Sequence, residues 1–138
     1  MKKVLISGGW DLMHYNHVKT LQMCKEMGDY LIVNVLSDER MKHKKGENRP
    51  LIPLEERMGI LRELRCVDEV ISIPGKEYPL YKAIAQIEPD IVCINIDEQP
   101  DIKNEIAFGK QFGTEVVGIH RIDDSVSTTK LIERLKNA

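Results

Sequence analysis

The sequence predicts an α/β protein built on a five-stranded parallel sheet, and three observations support this prediction. Short runs of Val, Ile and Leu recur along the chain, amphipathic segments of helical length separate them, and 138 residues are enough for one domain. Runs nearly continuous in β-branched residues are typical of strands buried on both faces, and strands that alternate with helices pair in parallel through right-handed crossovers. We therefore expect a single domain over residues 1–138 with a Rossmann-like, doubly wound architecture.

Five segments have the composition of buried strands: 3–7, 30–36, 68–73, 90–95 and 115–119. Five others show helical periodicity: 16–27, 54–65, 78–87, 101–112 and 128–136. The second of these helices begins after Pro53, carries acidic residues in its first turn and has Arg62 in its last, as the helix dipole favours. Segment 37–52 shows no clear periodicity and carries many charges, so we expect a long functional loop there.

The composition excludes several classes of function. Twenty Lys and Arg against 22 Asp and Glu give a net charge of −2, so neither nucleic acid nor an anionic membrane is an expected partner. No apolar run reaches the length of a membrane span or of a signal peptide's apolar region. Cys24, Cys66 and Cys93 stand far apart without a CxxC pair, which favours buried thiols and a cytoplasmic location over disulfides or a zinc site.

A ligand of an open α/β sheet lies beyond the carboxyl ends of the strands, near the switch in strand order. The segments that follow the predicted strands there are 7–17, 37–52, 95–101 and 120–129. Candidate functional residues are therefore sought in these four segments.

The first segment reads SGGWDLMHYNH and runs from a strand into a helix. Gly8 and Gly9 allow a ligand to approach the backbone closely, and the helix start offers N–H groups to an anion. His14 and His17 are three residues apart, so they share one face of the helix start and suit phosphate oxygens. The pattern is neither GxGxxG nor a P-loop. Metal ligation by the two histidines, or no role at all, are the alternatives.

A second candidate anion site precedes the last predicted helix, at Ser127, Thr128 and Thr129. Ser127 is a natural N-cap, and a cap without further function is the alternative. The functional interpretation adds hydroxyl and N–H groups at a second helix start, again beyond the carboxyl end of a strand. Two helix starts would then converge on one crevice, which favours the anion site.

Basic residues fall in the same part of the predicted fold. Lys42, Lys44 and Lys45 lie in segment 37–52, where a solvated charged face is the alternative. Arg57 belongs to the next helix and Arg121 follows the fifth strand. Together with Lys42 and Lys44, these two arginines are candidates for binding phosphate or an acceptor molecule.

The sequence shows no Ser–His–Asp system, reactive cysteine pair or paired carboxylates. This absence suits a reaction in which the substrate supplies its own nucleophile. A phosphate monoester that attacks the α-phosphorus of a nucleoside triphosphate is already an anion and needs no base. Such a reaction needs alignment and neutralisation of developing charge by His, Lys, Arg, helix starts and Mg²⁺.

The segment GGWDLMHYNH together with the late VSTTK resembles the cytidylyltransferase-type nucleotidyltransferases, whose marks are GxFDxxHxGH and a late STT. Blocks 28–39, 42–58 and 67–71 also fall where that family has similar blocks. The combination is specific, and it runs over nearly the whole chain. Trp10 replaces the usual Phe, and Asn16 replaces the Gly of HxGH; Asn tolerates turn conformations well.

The resemblance implies roles for individual residues. It implies that His14 and His17 contact the triphosphate and that Lys45 stabilises the transition state, with Lys42 and Lys44 as alternatives. The residues that it implies for nucleotide binding are Gly8, Gly9, Trp10, Asp11, Arg65, Asp97, Ser127, Thr128 and Thr129. It further implies Mg²⁺ carried by the triphosphate without a protein cage, and a homodimer.

The resemblance leaves the substrates open between branches of the family. Block 42–58 looks most like the domain that adenylylates heptose 1-phosphate for lipopolysaccharide core synthesis, so we expect ATP and a sugar phosphate. Short length and the VDEV sequence resemble cytidylyltransferases that use CTP and glycerol 3-phosphate, and archaeal FAD synthetases share a similar segment. A non-catalytic nucleotide-binding module is the alternative from another class.

Overall fold

The structure, a computed structural model, describes residues 1–121 and 126–138. Within these residues the strands are β1 (Lys3–Gly8), β2 (Tyr30–Val35), β3 (Glu69–Ile71), β4 (Ile91–Asn95) and β5 (Glu115–Ile119). The helices are α1 (Tyr15–Glu26), α2 (Asp38–Lys45), α3 (Leu54–Arg62), α4 (Leu80–Ile87), α5 (Lys103–Lys110) and α6 (Thr128–Lys136). The strands form one parallel sheet in the order β3-β2-β1-β4-β5, which confirms the predicted fold class.

The strand order reverses between β1 and β4. From β1 the chain moves outward to β2 and β3, and it then crosses to the other side of β1 to add β4 and β5. The connections after β1 and β4 therefore leave the sheet in opposite directions. A crevice forms at such a point beyond the carboxyl ends of the two strands.

Both faces of the sheet are covered by helices. Because successive side chains of a strand point to opposite faces, Val4 and Leu5 belong to different cores. Val4 packs in one cluster with Leu21 of α1 and Leu61 of α3, whereas Leu5 packs in the other with Ile84 of α4. This two-sided burial explains why the strand sequences are almost continuously apolar.

The three cysteines are free thiols, as the sequence indicates. Cys24 and Cys93 are buried in the core cluster that contains Val4, and Cys66 packs against it. Among residues 1–121 and 126–138, no helix is long and apolar enough to cross a membrane.

Segment 37–52 is not the continuous loop that the sequence predicts, because α2 occupies Asp38–Lys45. The Ser37 hydroxyl caps this helix by accepting a hydrogen bond from the Arg40 N–H at 3.0 Å. Acidic residues open the helix and basic residues close it, which favours its dipole. Met41 is the buried residue of α2, so the sequence lacks the apolar periodicity by which a helix is recognised.

Arg57 of α3 is fully buried beneath the ends of β1 and β2. Its guanidinium donates to the carbonyls of Gly9, Leu36 and Ile52 at 2.7–2.8 Å. It also pairs with the Asp38 carboxylate at 2.7 Å. These bonds occupy the guanidinium, so the prediction that Arg57 binds phosphate or an acceptor is corrected: it holds α3 and α2 to the sheet.

We expect Arg57→Met to lower the free energy of unfolding by about 3 kcal/mol or more, because buried carbonyls and a carboxylate lose their donor. Arg62→Met removes an exposed arginine from the same helix and should change stability by less than about 0.5 kcal/mol. Urea unfolding followed by circular dichroism measures both. Equal stability of the two variants would show that the buried network contributes nothing net.

Candidate active site at the switch in strand order

A cavity of about 600 Å³ opens at the carboxyl edge of the sheet, beside the starts of α1 and α6. The predicted site residues that line it are Gly9, Trp10, Asp11, His14, His17, Lys44, Lys45, Arg121, Ser127, Thr128 and Thr129. Folding therefore brings both motif histidines, the late hydroxyl residues and lysines of α2 to one place. We call this space the first cavity.

Gly8 does not line the first cavity, and its lack of a side chain makes room for the Trp10 ring. A Cβ atom on Gly8 would lie 2.9 Å from Trp10 Cε2. Trp10 has a left-handed backbone conformation, with φ of 54°, and its Nε1 donates to the Asn34 carbonyl at 3.3 Å. The Trp10 ring meets the His17 ring edge-on, with centroids 5.4 Å apart. The tight turn after β1 therefore supports the position of His17.

His14 and His17 stack at the start of α1, with ring centroids 3.8 Å apart. His17 Nδ1 accepts a hydrogen bond from the His14 backbone N–H at 3.3 Å, so the proton of a neutral His17 ring lies on Nε2. Both ring nitrogens of His14 are buried and lack a hydrogen-bond partner among the described residues. The pair thus has N–H groups that a phosphate oxygen would satisfy.

The two rings are neutral near pH 7. Burial, together with the neighbouring His14, lowers the pKa of His17 to about 4. Burial, together with the Arg121 charge, also lowers the pKa of His14. Neutral imidazoles donate hydrogen bonds to a polyanion without adding to the positive charge of the empty protein.

The Asp11 carboxylate holds the segment that follows α2. It accepts hydrogen bonds from the backbone N–H groups of Leu51 and Ile52 at 2.8 and 2.9 Å. It also pairs with Arg49 at 3.3 Å, and Asp11 is only 2% exposed. These contacts give the carboxylate a structural task, which differs from the direct nucleotide contact that the resemblance implies.

The start of α6 is fixed by two hydroxyl groups. Ser127 Oγ caps the helix by accepting from the Lys130 N–H at 3.1 Å. Thr128 Oγ1 donates to the Asp11 carbonyl at 2.6 Å, which joins α6 to the turn after β1. The cap interpretation of Ser127 is therefore correct in part, and the helix start also borders the first cavity.

Asn16 makes a second connection between the two helix starts. Its Nδ2 donates to the Val126 carbonyl at 2.9 Å, and the residue is buried. The family motif HxGH has a glycine at this position, and a glycine has no side chain to make this hydrogen bond. The departure from the motif therefore strengthens the link between α1 and α6.

Basic side chains border the first cavity, among them Lys44 and Lys45 at the end of α2 and Arg121 after β5. Arg121 pairs with the Glu98 carboxylate at 2.9 Å. Lys44 is exposed as a residue, but partial burial of its ammonium group lowers its pKa. Their positive charges suit a ligand that carries several negative charges.

Besides Gly8 and Arg57, three more predicted site residues lie outside the first cavity. Lys42 is exposed on α2, and Arg65 follows α3, which runs back to the amino edge of the sheet. The Asp97 carboxylate accepts from the Arg121 N–H at 2.6 Å and lies 2.9 Å from His120 Nδ1. The Arg121 bond holds the pKa of Asp97 below its usual range. Asp97 therefore joins the turns after β4 and β5, and the ligand-binding roles of Lys42, Arg65 and Asp97 stay predictions.

Sequence reasoning missed Arg49 and Asn95, which also line the first cavity. Arg49 lies within block 42–58, so its family-like context was the available signal. In the part of the chain that the structure describes, no group of three His, Cys, Asp or Glu side chains is placed to hold a metal ion. The alternative that His14 and His17 ligate a metal therefore lacks a third protein ligand there.

The fold and the first cavity are those of an α/β domain whose switch-point crevice, beside two helix starts, suits a ligand with several negative charges. The model of the cytidylyltransferase-like family matches residues 5–134. The chain belongs to this family and is a nucleotidyltransferase, which confirms the predicted family and enzyme class.

Two curated relatives are similar over almost the whole chain. FAD synthase of Ferroglobus placidus (strain DSM 10642 / AEDII12DO) is 35% identical over 140 residues, covering 98% of this chain and 88% of that protein. Bifunctional protein HldE of Yersinia pestis (strain Pestoides F) is 40% identical over 139 residues. That match covers 99% of this chain but 28% of HldE.

Solved structures share the fold. The lipopolysaccharide core biosynthesis protein from Thermoplasma volcanium GSS1 matches with a TM-score of 0.76 and 26% identity, over 89% of this chain and 99% of that one. Pantothenate synthetase from Thermus thermophilus matches with a TM-score of 0.69 and 15% identity, over 100% of this chain and 65% of that one. Because its identity is only 15%, the match to pantothenate synthetase shows a shared fold and nothing more.

We expect His17 to make the protein less stable as the pH falls from 6.5 towards 4. Its pKa in the folded protein, about 4, lies below the ordinary 6.5, so the unfolded chain takes up the proton first and unfolding is favoured. At pH 4.5 this effect amounts to about 2.5 kcal/mol. Urea unfolding at pH 7 and 4.5 should show that the wild type loses about this much more stability than His17→Gln. Equal losses would contradict the low pKa.

Asn16→Ala should weaken the binding of a non-hydrolysable nucleoside triphosphate by about five- to tenfold, because one hydrogen bond no longer holds the start of α6. Gln22→Ala, on the exposed face of α1, is the control and should leave the affinity unchanged. Isothermal titration calorimetry measures both. An unchanged affinity in Asn16→Ala would show that the bond does not position α6.

Proposed function

We propose that this chain transfers an adenylyl group from ATP to the phosphate of a small phosphorylated acceptor and releases pyrophosphate. A sugar phosphate, such as a heptose phosphate of lipopolysaccharide core synthesis, is the first candidate acceptor. The observation that carries the proposal is the convergence of the His14–His17 pair and the start of α6 on the first cavity. Neutral ring N–H groups and helix starts complement a triphosphate.

Two observations support ATP as the nucleotide. The Ferroglobus relative is an FAD synthase, and its product contains an adenylyl group. Block 42–58 resembles the heptose-phosphate adenylyltransferase domains, and it contains α2 with Lys44 and Lys45 at the border of the first cavity. The Thermoplasma protein, described as a lipopolysaccharide core biosynthesis protein, supports a sugar phosphate as acceptor.

FMN is the second candidate acceptor. It is favoured by the FAD synthase relative, of which this chain covers 88%. Adenylyl transfer to the FMN phosphate is the same reaction at the same atoms, so the two candidates differ in the acceptor alone. CTP with glycerol 3-phosphate is the alternative that changes the nucleotide.

In the proposed reaction an oxygen of the acceptor phosphate forms a bond to the α-phosphorus of ATP. The bond between the α-phosphorus and the bridging oxygen breaks, and its electron pair leaves with pyrophosphate. His17 donates from Nε2, and His14 from one ring nitrogen, to phosphate oxygens that gain charge. The backbone N–H groups of Thr128 and Thr129 open α6 and hold the triphosphate from the other side. Lys45 supplies a positive charge at the reacting phosphates.

Mg²⁺ is proposed to enter with the nucleotide rather than with the protein. The cavity offers imidazole N–H and ammonium groups, which suit phosphate oxygens, and the described residues contain no metal-holding cluster. Bound to the triphosphate, Mg²⁺ would neutralise the negative charge that develops during transfer. The residues of this chain then orient the nucleotide and exclude water from its phosphates.

The proposal is tested by measuring pyrophosphate release from ATP and from CTP, each with Mg²⁺ and with a heptose 1-phosphate, FMN or glycerol 3-phosphate. We expect release from ATP with the heptose phosphate. Release with FMN instead would establish the second candidate. Release from CTP alone would contradict adenylyl transfer, and nucleotide binding without pyrophosphate release from any pair of substrates would support the non-catalytic module.

His17→Ala should lower kcat by about 100-fold or more, because a donor to the transition-state charge is lost while the core is little changed. His43→Ala removes an exposed histidine of α2 that does not line the cavity, and it should retain normal turnover. Steady-state kinetics with the active acceptor measures both variants. Near-normal turnover in His17→Ala would refute the role of this histidine.

A further inference from the structure

Glu98 places a negative charge in a cavity whose other features suit a polyanion. A second cavity, of about 390 Å³, adjoins the first at the carboxyl edge of β1 and β4, and Glu98 lines both. Leu36, Lys44 and Asn95 are the other residues that the two linings share. A carboxylate at this boundary repels phosphate groups, so its presence there calls for a physical explanation.

The Glu98 carboxylate pairs with the guanidinium of Arg121. Glu98 Oε1 lies 2.9 Å from Arg121 Nη2, and the two side chains are 44% and 26% exposed. Ion pairs exposed to this extent are weak, because water competes for both charges. The pair can therefore open when a ligand offers Arg121 a more strongly charged anion.

The backbone on both sides of this ion pair is held in place. The Ile96 N–H donates to the Ile119 carbonyl at 2.9 Å, which joins the ends of β4 and β5. The Arg121 N–H donates to the Asp97 carboxylate at 2.6 Å. Because these bonds fix the backbone next to Glu98 and Arg121, rotation of the two side chains is enough to open the pair.

The charge of Glu98 also reaches groups on α1 and α2 that face the first cavity. Burial lowers the pKa of His17 and of Lys44, and the Glu98 charge opposes both shifts. The Arg121 charge acts in the other sense, since it adds to the lowering of the pKa of His17 and of His14. The Glu98 carboxylate is therefore close enough to the cavity's donors to compete with a phosphate for them.

We propose that Glu98 is an internal counter-ion, which holds Arg121 while the first cavity is empty and which the phosphates of the nucleotide displace. Arg121 then pairs with a phosphate, and Glu98 takes it back when pyrophosphate leaves. Glu98 is a positioning residue, because it acts on the ligand through Arg121. The inference rests on the proposed function, since it takes the first cavity as the nucleotide site. Competition from Glu98 weakens the binding of nucleotide and pyrophosphate alike, which favours the release of product.

The test is a calorimetric titration with Mg²⁺ and a non-hydrolysable ATP analogue, and separately with Mg²⁺ and pyrophosphate. Glu98→Gln removes the charge and keeps the size of the side chain. It should bind each probe about three- to fivefold more tightly, because Arg121 no longer has to leave an anion before it meets a phosphate. Glu98→Asp keeps the charge and should return the affinities towards those of the wild type.

A double-mutant cycle shows whether the effect passes through Arg121. Arg121→Met should weaken both probes by about fivefold or more, because a charged donor to phosphate is lost. Adding Glu98→Gln to Arg121→Met should then change the affinities by less than about twofold. Glu133→Gln is the matched control, because it removes a carboxylate that lines the first cavity from α6, and its effect should also stay below about twofold.

Circular dichroism and Tm establish that each variant is folded. Equal or weaker binding by Glu98→Gln would overturn the inference, as would failure of the wild type to bind both probes. An equal gain in the Arg121→Met background or in Glu133→Gln would also overturn it, because general repulsion would then explain the effect. The expected pattern of affinities without pyrophosphate release from any pair of substrates would contradict the proposed function alone.

Discussion

The site depends on two hydrogen bonds that join the start of α6 to the start of α1 and the turn before it, although the two helices lie far apart in the sequence. Thr128 Oγ1 donates to the Asp11 carbonyl, and Asn16 reaches across to the Val126 carbonyl. These bonds place the N–H groups of α6 beside those of α1, at the edge where β1 and β4 end. A triphosphate meets both helix dipoles only if this distance is fixed. The first cavity is thus a consequence of tertiary contacts made by a few small polar side chains.

Burial then gives the site its chemical character. The Trp10 ring and the first turn of α1 remove the histidine pair from water, which keeps both rings neutral. Near the same edge of the sheet, the side chains of Arg57 and Asp11 hold backbone segments in place. Arg57 donates hydrogen bonds to three carbonyls and a carboxylate. Asp11 accepts hydrogen bonds from the backbone of the segment after α2. The buried charged groups Arg57 and Asp11 therefore hold the backbone, whereas the neutral histidine pair and basic residues such as Lys45 line the first cavity.

Helix α2 connects the two cavities. Lys45 borders the first, Arg40 borders the second, and Lys44 borders both. Cationic residues of one short helix therefore line both cavities. This arrangement also accounts for the poor apolar periodicity of α2, because its exposed face is largely cationic and Met41 is its buried residue.

The sequence by itself determined the sheet, five of the six helices in the described chain, the family, and the histidine and hydroxyl motifs, because each depends on local periodicity or on adjacent residues. It did not determine α2, nor that Arg57 and Asp97 serve the scaffold, nor the second cavity. An arginine in a helical pattern looks the same whether its guanidinium faces water or buried carbonyls. Only the tertiary structure decided which charged side chains are paired within the protein, because their partners are distant in the sequence.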